Sequence, residues 1–569
     1  MKKFTLYGLL LSFVFSPTLF WGQLPAKYWI QFKDKQGTTF SVERPEDFLS
    51  QRAIEKRKRF NIPVTEQDLP VSIQYIKEIL ALDTSMIYFT QSKWLNGVTI
   101  YCENEHIINK IKQLDFVVYV ERTILMKEPE KRYENWFSYP VNDCNYAQRS
   151  TTLPQKDLDY GKSKGQIQIN NAHWLHRMGY KGEGILMMII DGGFHNVDSI
   201  RYFSKLRSEN RFFGARNYVQ PAVDPMRKGS HGTYVLSCIA ADIPGNLVGT
   251  APMVSVYLAE TEDGRTENKI EEDNLVAGLE LADSLGCDVI NISLGYIQFD
   301  DTIQPRRTYA DLTGMVSRAS QAATIAASKG IIICNSAGNE GEKQWRRISS
   351  PADAKDILTV GGIDVNGNRA GFSSYGPTAD GRIKPDACAV GRNTYAVNPY
   401  GKTTLINGTS FSSPLLSGMV ACLWQIFPER SNYEIMEAVG KSGNQASKPD
   451  NSLGYGYTDF FKAYNILQYP ENVYDENGNL LMTTSLNNFV LSNKFIILSI
   501  ESSEKKEIEI QIYHNEKAVL KPKTYKIKKG KNTLKIKYPA ITINADFDFV
   551  NLNITGENIE YRYVLGIEK

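Results

Sequence analysis

Ile185-Leu186-Met187-Met188-Ile189-Ile190-Asp191-Gly192-Gly193 is an unbroken apolar run that ends in an acid and two glycines. A run without polar alternation suits a strand buried on both faces of a parallel sheet. Two glycines let the backbone turn sharply where the strand ends. In open α/β sheets, ligands and reactive groups collect at that carboxyl edge. Asp191 therefore stands where chemistry is done, although a turn acid would look the same in isolation.

Further runs of this kind occupy 254–258, 289–294, 331–334 and 357–360, with helical patterns at 231–241, 270–285 and 316–329 between them. The alternation predicts an α/β fold, a doubly wound and mainly parallel sheet, over 166–468. Upstream, 24–126 reads as a small α/β unit. Its strands are expected at 28–32, 86–90, 98–102 and 116–120, and its helices at 46–59, 71–82 and 105–114. The polar stretch 127–165 reads as a linker and mature N-terminal segment. Downstream, Glu507-Ile508-Glu509-Ile510-Gln511-Ile512-Tyr513 alternates with period two, so 469–569 is expected to form a small β-sandwich. At the start, Lys2 and Lys3 precede an apolar run over 6–20, the pattern of a signal peptide over 1–23 and hence of a secreted protein. No later stretch is long and apolar enough for a span, so no membrane span is expected once the signal is removed.

The 569 residues carry 65 Lys+Arg against 63 Asp+Glu, a net charge of +2. That balance gives no reason to expect nucleic acid or an anionic membrane as the main partner. Seven cysteines form no disulfide pattern in a chain this long. Cys238, Cys334 and Cys422 sit in apolar segments, as buried thiols do. No Cys/His cluster has zinc spacing, so no metal site is expected on that ground.

Two more segments hold reactive residue types. Gly229-Ser230-His231-Gly232-Thr233 opens an apolar helix; a lone histidine there is often only structural. Asn407-Gly408-Thr409-Ser410-Phe411-Ser412-Ser413-Pro414 opens another. Proline is tolerated in the first turn of a helix, which sets Ser410 at or just before the N-terminus. There its own N–H and the positive helix end favour an oxyanion, while a plain helix cap is the competing reading.

The order Asp…His…Ser separates this chain from α/β-hydrolases, whose order and Gly-x-Ser-x-Gly elbow differ. With Ile189-Ile190-Asp191-Gly192-Gly193, Ser230-His231-Gly232-Thr233 and Gly408-Thr409-Ser410-Phe411-Ser412-Ser413-Pro414, the chain resembles the subtilisin-like serine peptidase (subtilase) family. Ser336-Ala337-Gly338-Asn339-Glu340-Gly341, Asn291-Ile292-Ser293-Leu294-Gly295, Phe372-Ser373-Ser374-Tyr375-Gly376 and Gly381-Arg382-Ile383-Lys384-Pro385-Asp386 extend the resemblance over 166–468. It implies a secreted serine endopeptidase acting through an acyl-enzyme, with Asp191, His231 and Ser410 as triad. It also implies Asn339 in the oxyanion hole and Ser293, Leu294, Gly295 and Gly338 along the substrate. No cofactor is required for that chemistry. Structural calcium is common in such enzymes, and Asp300, Asp301 and Asp311 are the candidates. The 24–126 unit resembles a propeptide, which implies a precursor that processes itself and a propeptide lying in its own active-site cleft. Protein or peptide substrates are the remaining partners, with no nucleic acid. The C-terminal unit faintly resembles bacterial sorting domains, which implies an extracellular or cell-surface location; a plain accessory sandwich fits its residues equally well. Two departures stand out: Gly192 where the family carries Thr, and Val390 where Pro is common. A silent scaffold is disfavoured because all three triad types are present. A peptide ligase, which captures the acyl-enzyme with an amine, stays open.

Overall fold

The apolar run becomes strand Leu186–Asp191, whose six residues are all buried. The computed structural model describes residues 25–126, 157–301, 303–468, 472–474, 480–486, 495–514, 517–537, 547–556 and 559–568. The leader expected at 1–23 and most of the linker expected at 127–165 lie outside them. The strand sits inside a seven-stranded sheet, in the order Ala387–Val390, Leu358–Ile363, Ile332–Ser336, Val289–Ile292, Leu186–Asp191, Ser255–Glu260, Phe212–Asn217. Every neighbouring pair in it is parallel. Met187 and Ile189 pack with helices His231–Ala240 and Thr409–Ile426 on one face. Leu186, Met188 and Ile190 pack with Ile270–Leu285 and Arg318–Ser328 on the other. Burial on both faces is why the run shows no alternation.

The two outermost strands escape the apolar-run reading. Phe212–Asn217 contains Gly214 and Arg216 and is mostly half-buried, as an edge strand can be. Ala387–Val390 is a four-residue buried strand, and Val390 completes it opposite Ile363.

The N-terminal unit is a four-stranded antiparallel sheet, Ile87–Ser92, Gly97–Cys102, Ala26–Phe32, Val117–Leu125, with helices packed against it. The single helix expected at 46–59 is two pieces. A short 3-10 turn Pro45–Asp47 stops where Phe48 and Leu49 turn into a core, and Ser50 then caps Gln51–Arg59 by accepting from the Ala53 N–H at 3.2 Å.

The C-terminal unit is a sandwich of two four-stranded antiparallel sheets. Their inner faces meet through Leu498, Ile500, Ile510, Ile512, Leu552, Ile554 and Leu565. Trp174, from the short helix His173–Arg177 of the central domain, joins this core and stacks 5.1 Å from Phe461. Among the described residues, Cys102, Cys238, Cys287, Cys334, Cys388 and Cys422 are free and buried, and no helix is long and apolar enough to cross a membrane.

Candidate active site

Three glycines bring Asp191 to His231. A Cβ on Gly193 would meet the Lys228 carbonyl at 2.5 Å, one on Gly229 the Gly192 carbonyl at 1.8 Å, and one on Gly232 the Phe194 ring at 2.5 Å. With φ of +106° at Gly193 and +62° at Gly229, the strand end and the helix start touch backbone to backbone. His231, first residue of its helix, then donates from Nδ1 to Asp191 Oδ1 at 2.8 Å. The same oxygen accepts from the Gly192 N–H at 2.7 Å. Asp191 is fully buried, and its Oδ2 has no partner among the described residues. Desolvation would lower the His231 pKa, but the charge and hydrogen bond of Asp191 outweigh it and raise the pKa above its ordinary value. The imidazole is 41% exposed.

Ser410 is the second residue of helix Thr409–Ile426, and Gly408 with φ +147° leads into it. Pro414 lies in the second turn of this helix, beyond the first turn expected for it. The proline removes the N–H that would bond the carbonyl four residues back, which is that of Ser410. The Ser293 hydroxyl fills the gap by donating to that carbonyl at 2.9 Å. Ser293 is in turn held by the Asn291 amide at 3.1 Å, and Asn291 accepts from the Ser413 and Ser417 hydroxyls at 2.8 and 3.0 Å. This polar stitch locks the helix to strand Val289–Ile292. Ser410 is 9% exposed, and its hydroxyl points to the Ser293 carbonyl at 3.4 Å. No bond to His231 is made in this state, so the hydroxyl must rotate to reach it, as catalytic contacts often do only with substrate present.

Asn339 has its amide oxygen fixed by the Thr409 N–H at 2.9 Å and the Thr409 hydroxyl at 3.1 Å. Its Nδ2 is thereby left as a donor, close to Gly408. The Ser410 N–H lies in the first helical turn, where intrahelical partners are lacking. Ser293, Leu294 and Gly295 follow strand Val289–Ile292, and Gly338 follows strand Ile332–Ser336 by two residues. A Cβ on Gly295 would fall 2.0 Å from Ser349 Oγ and 3.0 Å from its Cβ, and Gly338 holds a φ of +104° that favours glycine. Each of these residues is a candidate named from the sequence. Sequence reading missed the roles of Asn291 and Thr409, which lie in side-chain bonds no motif displays, and the contact of Ser349 with Gly295 and Gly338.

It also missed an acidic cluster beside the site. Glu262, Glu267 and Glu271 place carboxylate oxygens within 4.8 Å of one another. Glu262 packs against Gly192 and accepts from the Tyr296 hydroxyl. Burial raises the pKa of all three, with mutual repulsion adding to it, and takes Glu267 to about 7. Burial likewise lifts the neighbouring Glu260 to about 7. The acid-rich segment 260–273 was the available signal. The calcium trio expected at Asp300, Asp301 and Asp311 is not assembled. Asp301 pairs with Arg122 at 2.9 Å, Asp311 accepts from Thr308, and Asp300 accepts from the Glu267 N–H at 2.9 Å. These residues do not fit a shared cation.

Glu280 and Asp283, also on helix Ile270–Leu285, hold the N-terminal unit. Glu280 accepts from Ser92 Oγ and from the Lys93 and Trp94 N–H groups at 2.5, 2.9 and 3.0 Å. Asp283 accepts from Arg57 at 2.9 Å and Lys93 at 3.0 Å.

Residues 170–456 match the model of the subtilase family, and residues 27–135 match the peptidase S8 propeptide domain of Bacteroidota. Subtilisin DY of Bacillus licheniformis is 27% identical over 292 residues, 51% of this chain and 93% of that one. Subtilisin NAT of Bacillus subtilis subsp. natto is 29% identical over 285 residues, 50% of this chain and 65% of that one, so just under two thirds of its length is spanned. The crystal structure of MycP1 with the N-terminal propeptide removed aligns with a TM-score of 0.41 at 24% identity, over 53% of this chain and 96% of that one.

Proposed function

The chain belongs to the subtilase family and is a subtilisin-like serine endopeptidase with an N-terminal propeptide domain, and from that premise we propose that Asp191, His231 and Ser410 are its catalytic triad. Ser410 Oγ attacks the peptide carbonyl while His231 takes its proton and later delivers it to the leaving amine. Asp191 keeps the Nδ1 proton in place and stabilises the imidazolium. The Asn339 Nδ2 and Ser410 N–H donate to the oxyanion, where loss of one donor costs about 10²–10³ in turnover. The backbone of Ser293, Leu294, Gly295 and Gly338 holds the substrate strand. Water then releases the acyl-enzyme. The observation that carries this reading is the 2.8 Å His231–Asp191 contact beside the helix start that presents Ser410. A fluorophosphonate probe tests it. Labelling maps to Ser410 and is lost in His231→Ala; a folded, processed protein that takes no label would overturn the reading.

The chain is further read as a secreted precursor that processes itself, on the strength of Lys2, Lys3 and the apolar run 6–20, and of the docked propeptide domain. The domain is positioned by Glu280 and Asp283, and the propeptide is read as blocking the active-site cleft until it is cut away. Ser410→Ala accumulates uncut precursor; normal processing of that variant would assign the cut to another protease.

A further inference from the structure

Between Lys517 and Lys537 the chain carries nine lysines and no aspartate, glutamate or arginine. All nine are exposed. They lie on strand Lys517–Ile527, the outer strand of one sheet of the sandwich, on strand Gly530–Lys537, the outer strand of the other, and at Lys528 and Lys529 between them. A two-residue link puts both free edges on the same side. The whole chain has a net charge of +2, so the rest of the molecule is net acidic and the positive charge is gathered on this ridge. Among the described residues, carboxylates near it are few. Glu507 stands opposite Lys526, 3.7 Å away with both side chains well exposed, and Glu501 and Glu509 stand opposite Lys531 and Thr524.

Lysine on an edge strand discourages strand addition. That purpose is met at the edge itself. Lys535 and Lys537 instead stand on the outer sheet face opposite Ile497 and Phe495, and Lys528 and Lys529 occupy the turn. Concentrating like charges costs self-repulsion, which a bound polyanion would relieve.

We propose that this lysine ridge binds a linear acidic polysaccharide. The ridge is a narrow line, fitted to a chain laid along it. Bases need free aromatic faces to stack on, but Lys523 sits over Tyr525 at 5.2 Å and Lys535 over Phe495 at 4.1 Å. The stretch offers lysine ammoniums alone, point charges that respond to the spacing of negative charge along a chain and not to the planar geometry of any one anionic group.

The full chain is titrated with heparin and with polygalacturonate across a salt series. It is compared with a ridge variant, Lys521→Glu, Lys523→Glu and Lys531→Glu, and a charge-matched variant, Lys355→Glu, Lys402→Glu and Lys448→Glu. The log of the affinity is expected to fall linearly with log salt, with a shallower slope for the ridge variant as fewer counterions are released. That variant is expected to bind about tenfold or more weaker, and the charge-matched one about as wild type. Equal melting temperatures check the fold, and Lys→Gln at the same positions repeats the test should either variant melt early. No binding of either polysaccharide, or equal weakening in the two variants, would overturn the proposal. So would tighter binding through the same lysines to phosphatidylglycerol vesicles or duplex DNA.

Discussion

His231 shows two opposed effects of the same neighbourhood. Its surroundings strip water and favour the neutral ring, while Asp191 favours the cation and prevails. A general base must be neutral, so kcat/KM on a peptide substrate should fall on the acid side with a midpoint above the ordinary 6.5. Asp191→Asn should move that midpoint down and lower turnover by about 10⁴-fold. An unchanged midpoint in the variant would assign the acid limb to another group. The triad residue types were legible from sequence because their neighbours are small or glycine for steric reasons: Gly193, Gly229 and Gly232 are needed wherever two backbones touch. The Ser293 hydroxyl was not legible as a support for Ser410, because its partner is a carbonyl left bare by a proline in another segment.

Helix Ile270–Leu285 illustrates what one element can carry. Every residue in it is buried, including Glu271, Glu272, Asp273, Glu280 and Asp283, although acids on a helix ordinarily mark a solvated face. The N-terminal unit covers Asp273, Glu280 and Asp283, while Glu271 and Glu272 are met by Asn268, Arg307 and Arg318 of the central domain. Arg57 and Lys93 hold Asp283 well below the usual carboxylate range against the opposing effect of burial. Asp283→Asn would leave Arg57 and Lys93 less compensated, a loss of about 3–5 kcal/mol for a broken buried pair. The processed N-terminal unit should then dissociate about 10²- to 4 × 10³-fold faster in a release assay, at about 1.4 kcal/mol per tenfold; an unchanged rate would place its hold elsewhere. The Glu262, Glu267 and Glu271 cluster acts oppositely. Near it stand Asp191, Asp263, Glu272 and Asp300, all acidic. Its carboxyls ionise above the ordinary 4.5, so the fold keeps protons that the unfolded chain has lost. Their contribution to stability is full below 4.5 and drains away as the pH rises through about 7 and beyond. Melting temperature should therefore fall over that window, and less steeply in Glu262→Gln. Parallel pH curves for the two proteins would exclude this cluster as the source.

At the scale of the whole molecule, the sandwich is bolted to the central domain through Trp174. The indole is 1% exposed, and a Cβ on Gly566 would fall 2.3 Å from its ring. The Arg177 guanidinium lies 4.4 Å from both the Trp174 and Phe547 rings. Trp174→Ala should cost about 3–5 kcal/mol and split thermal unfolding into two transitions, with limited proteolysis releasing the sandwich first; a single cooperative transition would show that other contacts carry the junction. Net charge was a poor guide at this scale, since a chain near neutrality holds a lysine ridge on one unit and an acidic cluster in another. The amino-acid sequence by itself determined the parallel sheet, the chain order of Asp191, His231 and Ser410, and the two flanking units. Apolar runs, glycine contacts and period-two alternation are local patterns that survive in one dimension. Only the tertiary structure decided that Ile270–Leu285 is covered by the N-terminal unit, that Asp301 serves Arg122 instead of a cation, and that Ser293 completes the helix of Ser410. Each of those depends on which distant side chain arrives to satisfy a buried charge or carbonyl, and sequence spacing carries no record of that meeting.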